Sequence, residues 1–131
     1  MREAGNTALQ KGDYQLAIKH YNRMIILDPN SYIGYANRSQ AYLYLKEYRL
    51  AIYDCNESLR RQPSHVKSWM RRATARAALG MYENAVRDLS VARLLDPSNK
   101  TLLVDLRKYE ESVRANQRRI PDVTIPIEIT M

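Results

Sequence analysis

Phenylalanine is absent from this 131-residue chain, and cysteine and tryptophan occur once each. Ten tyrosines carry the aromatic surface instead, so most rings bring a hydroxyl, which suits grooves and amphipathic faces as well as cores. A lone cysteine, Cys55, excludes an intrachain disulfide and points to a reducing compartment, cytoplasm or nucleus. No apolar run approaches the ~20 residues needed to cross a bilayer, and no membrane partner is expected. Met1 to Gly5 hold no apolar stretch of the signal type. Glycine-rich phosphate loops and serine nucleophile elbows are also missing. No histidine base stands near Cys55 in the pattern, so it reads as a packed thiol. His20 and His65 lack cysteine or carboxylate companions at metal spacing. These absences predict a non-enzyme without metal or cofactor.

What is present begins with charge. Hydrophobic residues make up 45% and charged residues 27%, ordinary for a globular or repeat protein of one domain. The formal net charge of +7 favours an acidic partner. On charge alone that partner is nucleic acid, an anionic surface or an acidic peptide.

The prolines expose an internal period. Pro29, Pro63 and Pro97 are 34 apart, with similar lead-ins at Leu27-Asp28, Arg61-Gln62 and Leu95-Asp96. The same shift superposes Tyr14, Tyr48 and Tyr82, then Ala17, Ala51 and Ala85, then Ile18, Ile52 and Val86. Gly5, Ser39 and Ala73 form a row of small residues, which lets helices approach closely. Each unit reads as two helices, in the second unit about 31–45 and 48–61, with apolar residues three and four apart. Gly12 and Gly80 mark turns between paired helices, Asp13 and Ser64 are expected N-caps, and each proline ends a second helix. Trp69 and the row Tyr21, Cys55 and Leu89 are expected in the core.

These rows resemble the tetratricopeptide repeat family, whose unit is 34 residues, over about residues 1–98. The resemblance implies an all-α right-handed solenoid of three helical hairpins: repeat 1 over 1–30, repeat 2 over 31–64 and repeat 3 over 65–98. Two positions depart from the pattern. Met24 stands where Ser58 and Ala92 are small, and Arg76 stands where the preceding unit has Tyr42. From 99 to 118, Leu102, Leu103, Leu106, Tyr109 and Val113 give one apolar stripe, the pattern of a capping helix.

In such a solenoid the first helices line a concave groove. Arg2 and Asn6 are four apart and share a helix face, as do Lys67 and Arg71. With Asn37, these residues look like the five positions of the dicarboxylate clamp in co-chaperones of heat-shock protein 90 and heat-shock protein 70, with Arg2 in place of a lysine. The resemblance implies binding of the acidic C-terminal tail of those chaperones. A chain ending in aspartate presents two adjacent carboxylates, which three cations and two amides have enough donors to meet. Charge-assisted bonds of roughly 1.5–3 kcal/mol each, less the cost of ordering a peptide, predict affinity of about −8 kcal/mol, near micromolar. Leu9, Ala36, Gln40 and Met70 are expected to line the groove and discriminate between tails. A scaffold binding an internal peptide, and a nucleic-acid surface built on Arg60-Arg61 and Arg71-Arg72, are the competing readings.

After Arg119 the period changes to two. Val123, Ile125, Ile127 and Ile129 alternate with Thr124, Pro126, Glu128 and Thr130, an edge-strand pattern. The string Ile125-Pro126-Ile127-Glu128-Ile129 looks like the tail of the RNA polymerase II-associated protein 3 family. That resemblance implies docking on the sheet of a PIH-domain adaptor by strand addition, and through it an indirect link to RuvB-like ATPases. The apolar end at Met131 and a first repeat lacking its opening residues lead us to expect part of a longer chain.

Overall fold

Each 34-residue period closes its first helix with the same turn. The structure, a computed structural model, describes residues 2–118. It contains seven helices: α1 (Arg2–Gln10), α2 (Tyr14–Leu27), α3 (Ile33–Tyr44), α4 (Tyr48–Arg61), α5 (Val66–Ala78), α6 (Tyr82–Leu95) and α7 (Lys100–Gln117). After α1, Gly12 N–H donates to Leu9 O at 3.0 Å and Asp13 N–H to Ala8 O at 2.9 Å. Lys46 and Glu47 repeat this pair after α3, and Gly80 and Met81 repeat it after α5. The central residue is left-handed each time, with φ 82° at Gly12, 59° at Lys46 and 81° at Gly80. This geometry satisfies the last carbonyls of a helix and favours glycine. Lys46 therefore carries backbone strain that its two counterparts do not.

The second helices also end alike. Asp28, Gln62 and Asp96 each donate a backbone N–H four residues back, to Met24, Ser58 and Ala92, just before the periodic prolines. Asp13 caps α2, its carboxylate accepting from Leu16 N–H at 3.2 Å, as expected. The cap expected of Ser64 is not made. The turn after Pro63 is closed by His65 N–H on Gln62 O, so His65 becomes the residue flanking α5 and Ser64 falls one position too early.

Neighbouring helices pack in sequence from α1 to α7, and α3 also meets both α1 and α5, which gathers the first helices on one face. Ala17, Ala51 and Ala85 are fully buried, and Ser39 and Ala73 with them. Gly5 has a stricter reason: a Cβ there would lie 2.5 Å from Tyr21 Cε1. The Met24 departure is absorbed across the next interface. Opposite it stands Gly34, where a Cβ would come within 3.4 Å of Met24 Cβ and 2.8 Å of Ile25 Cγ1. In the following repeat the equivalent pair is Ser58 and Ser68, whose hydroxyls bond at 2.8 Å. The last is Ala92 and Leu102, both buried in one cluster. Large meets small, small meets small, then small meets large, so the interhelical space stays filled.

A polar latch also repeats. Arg38 on α3 bonds both oxygens of Asp54 on α4, at 2.7 and 2.8 Å, and Asn22 on α2 at 2.8 Å. Thirty-four residues on, Arg72 bonds both oxygens of Asp88, at 2.7 and 3.1 Å, and Asn56 at 2.8 Å. Each latch ties three helices across a repeat boundary with bidentate, charge-assisted bonds. Asp54 is fully buried, so removing Arg38 would strand a charge at a cost of about 3–5 kcal/mol. The Arg76 departure joins the second latch, with Nη1 3.0 Å from both Asp88 oxygens.

On α7, Leu102, Leu106 and Tyr109 are buried against Ala73, Ala85, Leu89 and Ala92. Asn99 caps this helix by accepting from Leu102 N–H at 3.0 Å. The expected apolar stripe thus closes the stack and turns its charged side outward. None of the helices is long and apolar enough to cross a membrane among the described residues.

Candidate functional site

Of the five polar residues singled out from the sequence, α1 carries Arg2 and Asn6, α3 carries Asn37, and α5 carries Lys67 and Arg71. Arg71 sits deepest. Its Nε donates to Gln40 Oε1 at 2.8 Å and its Nη1 to the Ala36 carbonyl oxygen at 2.8 Å. Among the described residues no carboxylate forms an ion pair with it. Burial acts against the charged guanidinium and lowers its pKa. A shielded cation held only by neutral oxygens is a fixed positive charge awaiting an anion.

The amides flank it. Asn37 Nδ2 is shielded from solvent and has no hydrogen-bond partner among the described residues. Asn6 Oδ1 accepts from the Tyr21 hydroxyl at 2.6 Å, so that oxygen is engaged and its NH2 group is the end left to donate. Arg2 and Lys67 are exposed.

Electrostatic effects on two rings, buried Tyr21 and half-buried His65, link some of these groups. The Tyr21 hydroxyl is pushed up by burial, while Arg71 and then Arg2 pull it down. The His65 imidazole is lowered first by burial, then by Arg71 and Lys67. Arg71 is thus common to both fields, while Arg2 acts on Tyr21 and Lys67 on His65. Arg2 itself lines a separate recess with Met24, Asp28 and Gly34. Tyr21 is the residue the sequence reading missed. Its row with Cys55 and Leu89 marked it as core, and only its hydroxyl distinguishes it from a purely apolar member.

The expected lining residues divide. Gln40 and Met70 line a recess of about 480 Å³ beside Lys67 and Arg71. Ala36 is 1% exposed, so its methyl is packed away and it contributes its carbonyl instead. Leu9 packs against the core cluster around Ala8, Ile18 and Tyr21, because its side chain follows the buried stripe of α1. Ile125, Pro126, Ile127, Glu128 and Ile129 lie outside the described residues.

The basic pairs considered for nucleic acid are mostly committed elsewhere. Arg60 and Arg61 both bond Glu57, and Arg61 also donates to Pro29 O at 2.9 Å with its guanidinium over the Tyr35 ring. Arg72 belongs to the second latch. Cys55 is buried, and burial pushes its thiol up to about 12, which leaves it protonated and inert. Trp69 packs against the C-terminal core cluster and donates to Pro63 O at 2.7 Å. No three His, Cys, Asp or Glu residues come together at metal-binding distance among the described residues.

Comparison with known proteins adds the following. The profile of the tetratricopeptide repeat matches residues 3–31. RNA polymerase II-associated protein 3 of Rattus norvegicus is 33% identical over 121 residues, 92% of this chain and 18% of that protein. The chain therefore spans less than a fifth of that relative. The first tetratricopeptide domain of Spaghetti, solved with the heat-shock protein 90 peptide SRMEEVD, is 33% identical with a TM-score of 0.84, covering 86% of this chain and 90% of that one. The second such domain of the human protein, solved with the heat-shock protein 70 peptide SGPTIEEVD, is 35% identical with a TM-score of 0.79, covering 82% and 90%.

Proposed function

The chain belongs to the tetratricopeptide repeat family, and from that premise we propose that it is a chaperone-binding adaptor domain gripping an acidic C-terminal peptide. The ligand class is the tail of heat-shock protein 90 or 70 ending in Glu-Glu-Val-Asp, as bound by the related domains. The observation that carries the reading is Arg71, a shielded guanidinium that meets Gln40 and Ala36 but no carboxylate among the described residues.

The roles follow from chemistry. Arg71 and Asn37 Nδ2 donate to a carboxylate of the terminal aspartate, and the Asn6 amide donates to its neighbour. Lys67 closes from one side as a point charge on a flexible stem, and Arg2 closes from another. Arg2 replaces the lysine of related clamps, so it offers a planar fork in place of a compact ammonium. Gln40 and Tyr21 touch no ligand in this account. Gln40 holds the guanidinium in place, and Tyr21 fixes which end of Asn6 faces the groove. Because Arg71 and Asn6 are held before the ligand arrives, little of the binding energy is lost to ordering these two donors.

Titrating SRMEEVD into the wild type and the Lys67→Ala variant tests this assignment. Loss of one charge-assisted contact predicts affinity at least about tenfold weaker. Equal affinity would remove Lys67 from the site. The adaptor role extends to residues 120–131, whose alternating pattern supports strand addition to a PIH-domain protein and an indirect link to RuvB-like ATPases. Capture of that adaptor by the chain with and without residues 120–131 tests it, and undiminished capture by the shorter chain contradicts it.

A further inference from the structure

The groove is cationic at Arg71 and Lys67, yet one wall of the adjoining recess is acidic. That recess lies over α5, between α3 and the capping helix α7, and its far side is formed by Thr101 and Asp105. These two residues are four apart and share one face of α7. Leu43, Tyr44 and Met70 supply the apolar part of the lining. Asp105 is half-buried and forms no ion pair among the described residues. Its charge is felt locally, since the Tyr109 hydroxyl is pushed up first by burial and next by Asp105.

A peptide anchored by its terminal aspartate at Arg71 and laid along this recess contacts both its apolar lining and the Asp105 carboxylate. Acidic residues are welcome near the cations and unwelcome at the far wall, where a basic residue finds an unanswered charge. The two peptides held by related domains differ at the corresponding place. SRMEEVD has arginine five residues before its terminal aspartate, and SGPTIEEVD has threonine there. We propose that Asp105 is a specificity-determining residue that selects acidic tails carrying a basic side chain just upstream of their apolar residue. The inference rests on the peptide-binding reading above and adds a direction of discrimination to it.

A calorimetric double-mutant cycle tests it. The probes are SRMEEVD and two analogues in which its arginine is replaced by threonine or by glutamate. The proteins are the wild type and Asp105→Asn, which keeps the side-chain shape and removes the charge. Against the wild type, threonine is expected to weaken binding about threefold to fivefold and glutamate more, in keeping with one partly exposed ion pair. Asp105→Asn is expected to bind all three peptides within about twofold. An affinity ratio unchanged by Asp105→Asn overturns the assignment while leaving the clamp intact. Failure of SRMEEVD to bind the wild type, or equal binding of its amidated form, removes the clamp and Asp105's role together. Circular dichroism melting of Asp105→Asn keeps a folding defect from being read as lost selectivity.

Discussion

Arg71 Nε donates to Gln40 Oε1 at 2.8 Å, so the cation set deepest in the groove is answered by an amide and by the Ala36 carbonyl. Burying a guanidinium without a counter-charge costs folding energy, and that cost is recovered only when a ligand supplies the charge. Arg71→Met keeps the bulk and removes the charge. It is expected to melt no lower than the wild type while losing at least about tenfold in affinity for an acidic C-terminal peptide. A variant that unfolds and binds in proportion would show that Arg71 is structural.

Gly5 lies against Tyr21 so closely that a Cβ would stand 2.5 Å from the ring. Gly5→Ala must displace the ring or separate α1 from α2, at about 1–3 kcal/mol. It also disturbs the hydroxyl that engages Asn6 Oδ1. Denaturant melts are expected to show the loss of stability, and peptide titration a parallel loss of affinity. Gly5→Ala behaving as the wild type in both would contradict the packing described for α1.

Lys46 adopts φ 59° where the equivalent residues of the other two repeats are glycine. Lys46→Gly relieves that strain and is expected to stabilise the domain by up to about 1 kcal/mol, several degrees in Tm. Gly12→Ala and Gly80→Ala are expected to destabilise, because nothing crowds those positions and only backbone conformation is at stake. A lower Tm for Lys46→Gly would mean that the lysine side chain contributes more than its strain costs.

His65 gives the site a pH signature. Burial, then Arg71, then Lys67 lower its pKa from the ordinary 6.5. A depressed folded-state value means that its contribution to stability is present above about 6.5 and is lost as the pH falls through the lowered value. Peptide carboxylates seated on Arg71 and Lys67 offset their field and raise His65 again. Binding near pH ~6 is therefore expected to take up protons, seen as an enthalpy that varies with the ionisation heat of the buffer. His65→Asn should lose that dependence. A buffer-independent enthalpy at this pH in the wild type would count against the proximity of ligand and His65.

The fold was legible because its signals are local and repeat. Prolines that cannot continue a helix and small residues at close crossings recur after 34 residues, and Gly12 and Gly80 mark left-handed turns two periods apart. Lys46 hid the middle turn because lysine carries no preference for φ > 0. The latches were periodic too, in Asn22 and Asn56, Arg38 and Arg72, Asp54 and Asp88. Their members lie sixteen residues apart on different helices, so only the packing angle reveals that they meet. In the groove, the resemblance to a dicarboxylate clamp pointed to Arg2, Asn6, Asn37, Lys67 and Arg71. Spacing along one helix is silent about what lies behind a side chain, so Tyr21 under Asn6 and Gln40 beside Arg71 came only from the structure. Nor does spacing tell that Ala36 is buried and offers its carbonyl to Arg71, or that Leu9 is partly buried against the cluster of Ala8, Ile18 and Tyr21. Asp105 depends on how α7 crosses the stack, which no local pattern encodes.

The central claim is that shielded donors around Arg71 hold the free carboxylates of a terminal aspartate. Calorimetry with SRMEEVD and with the same peptide carrying a C-terminal amide addresses it most directly. The account predicts roughly micromolar binding of the free acid, about −8 kcal/mol, and at least about tenfold weaker binding of the amide. Indistinguishable affinities for the two forms would contradict it and favour recognition of an internal segment.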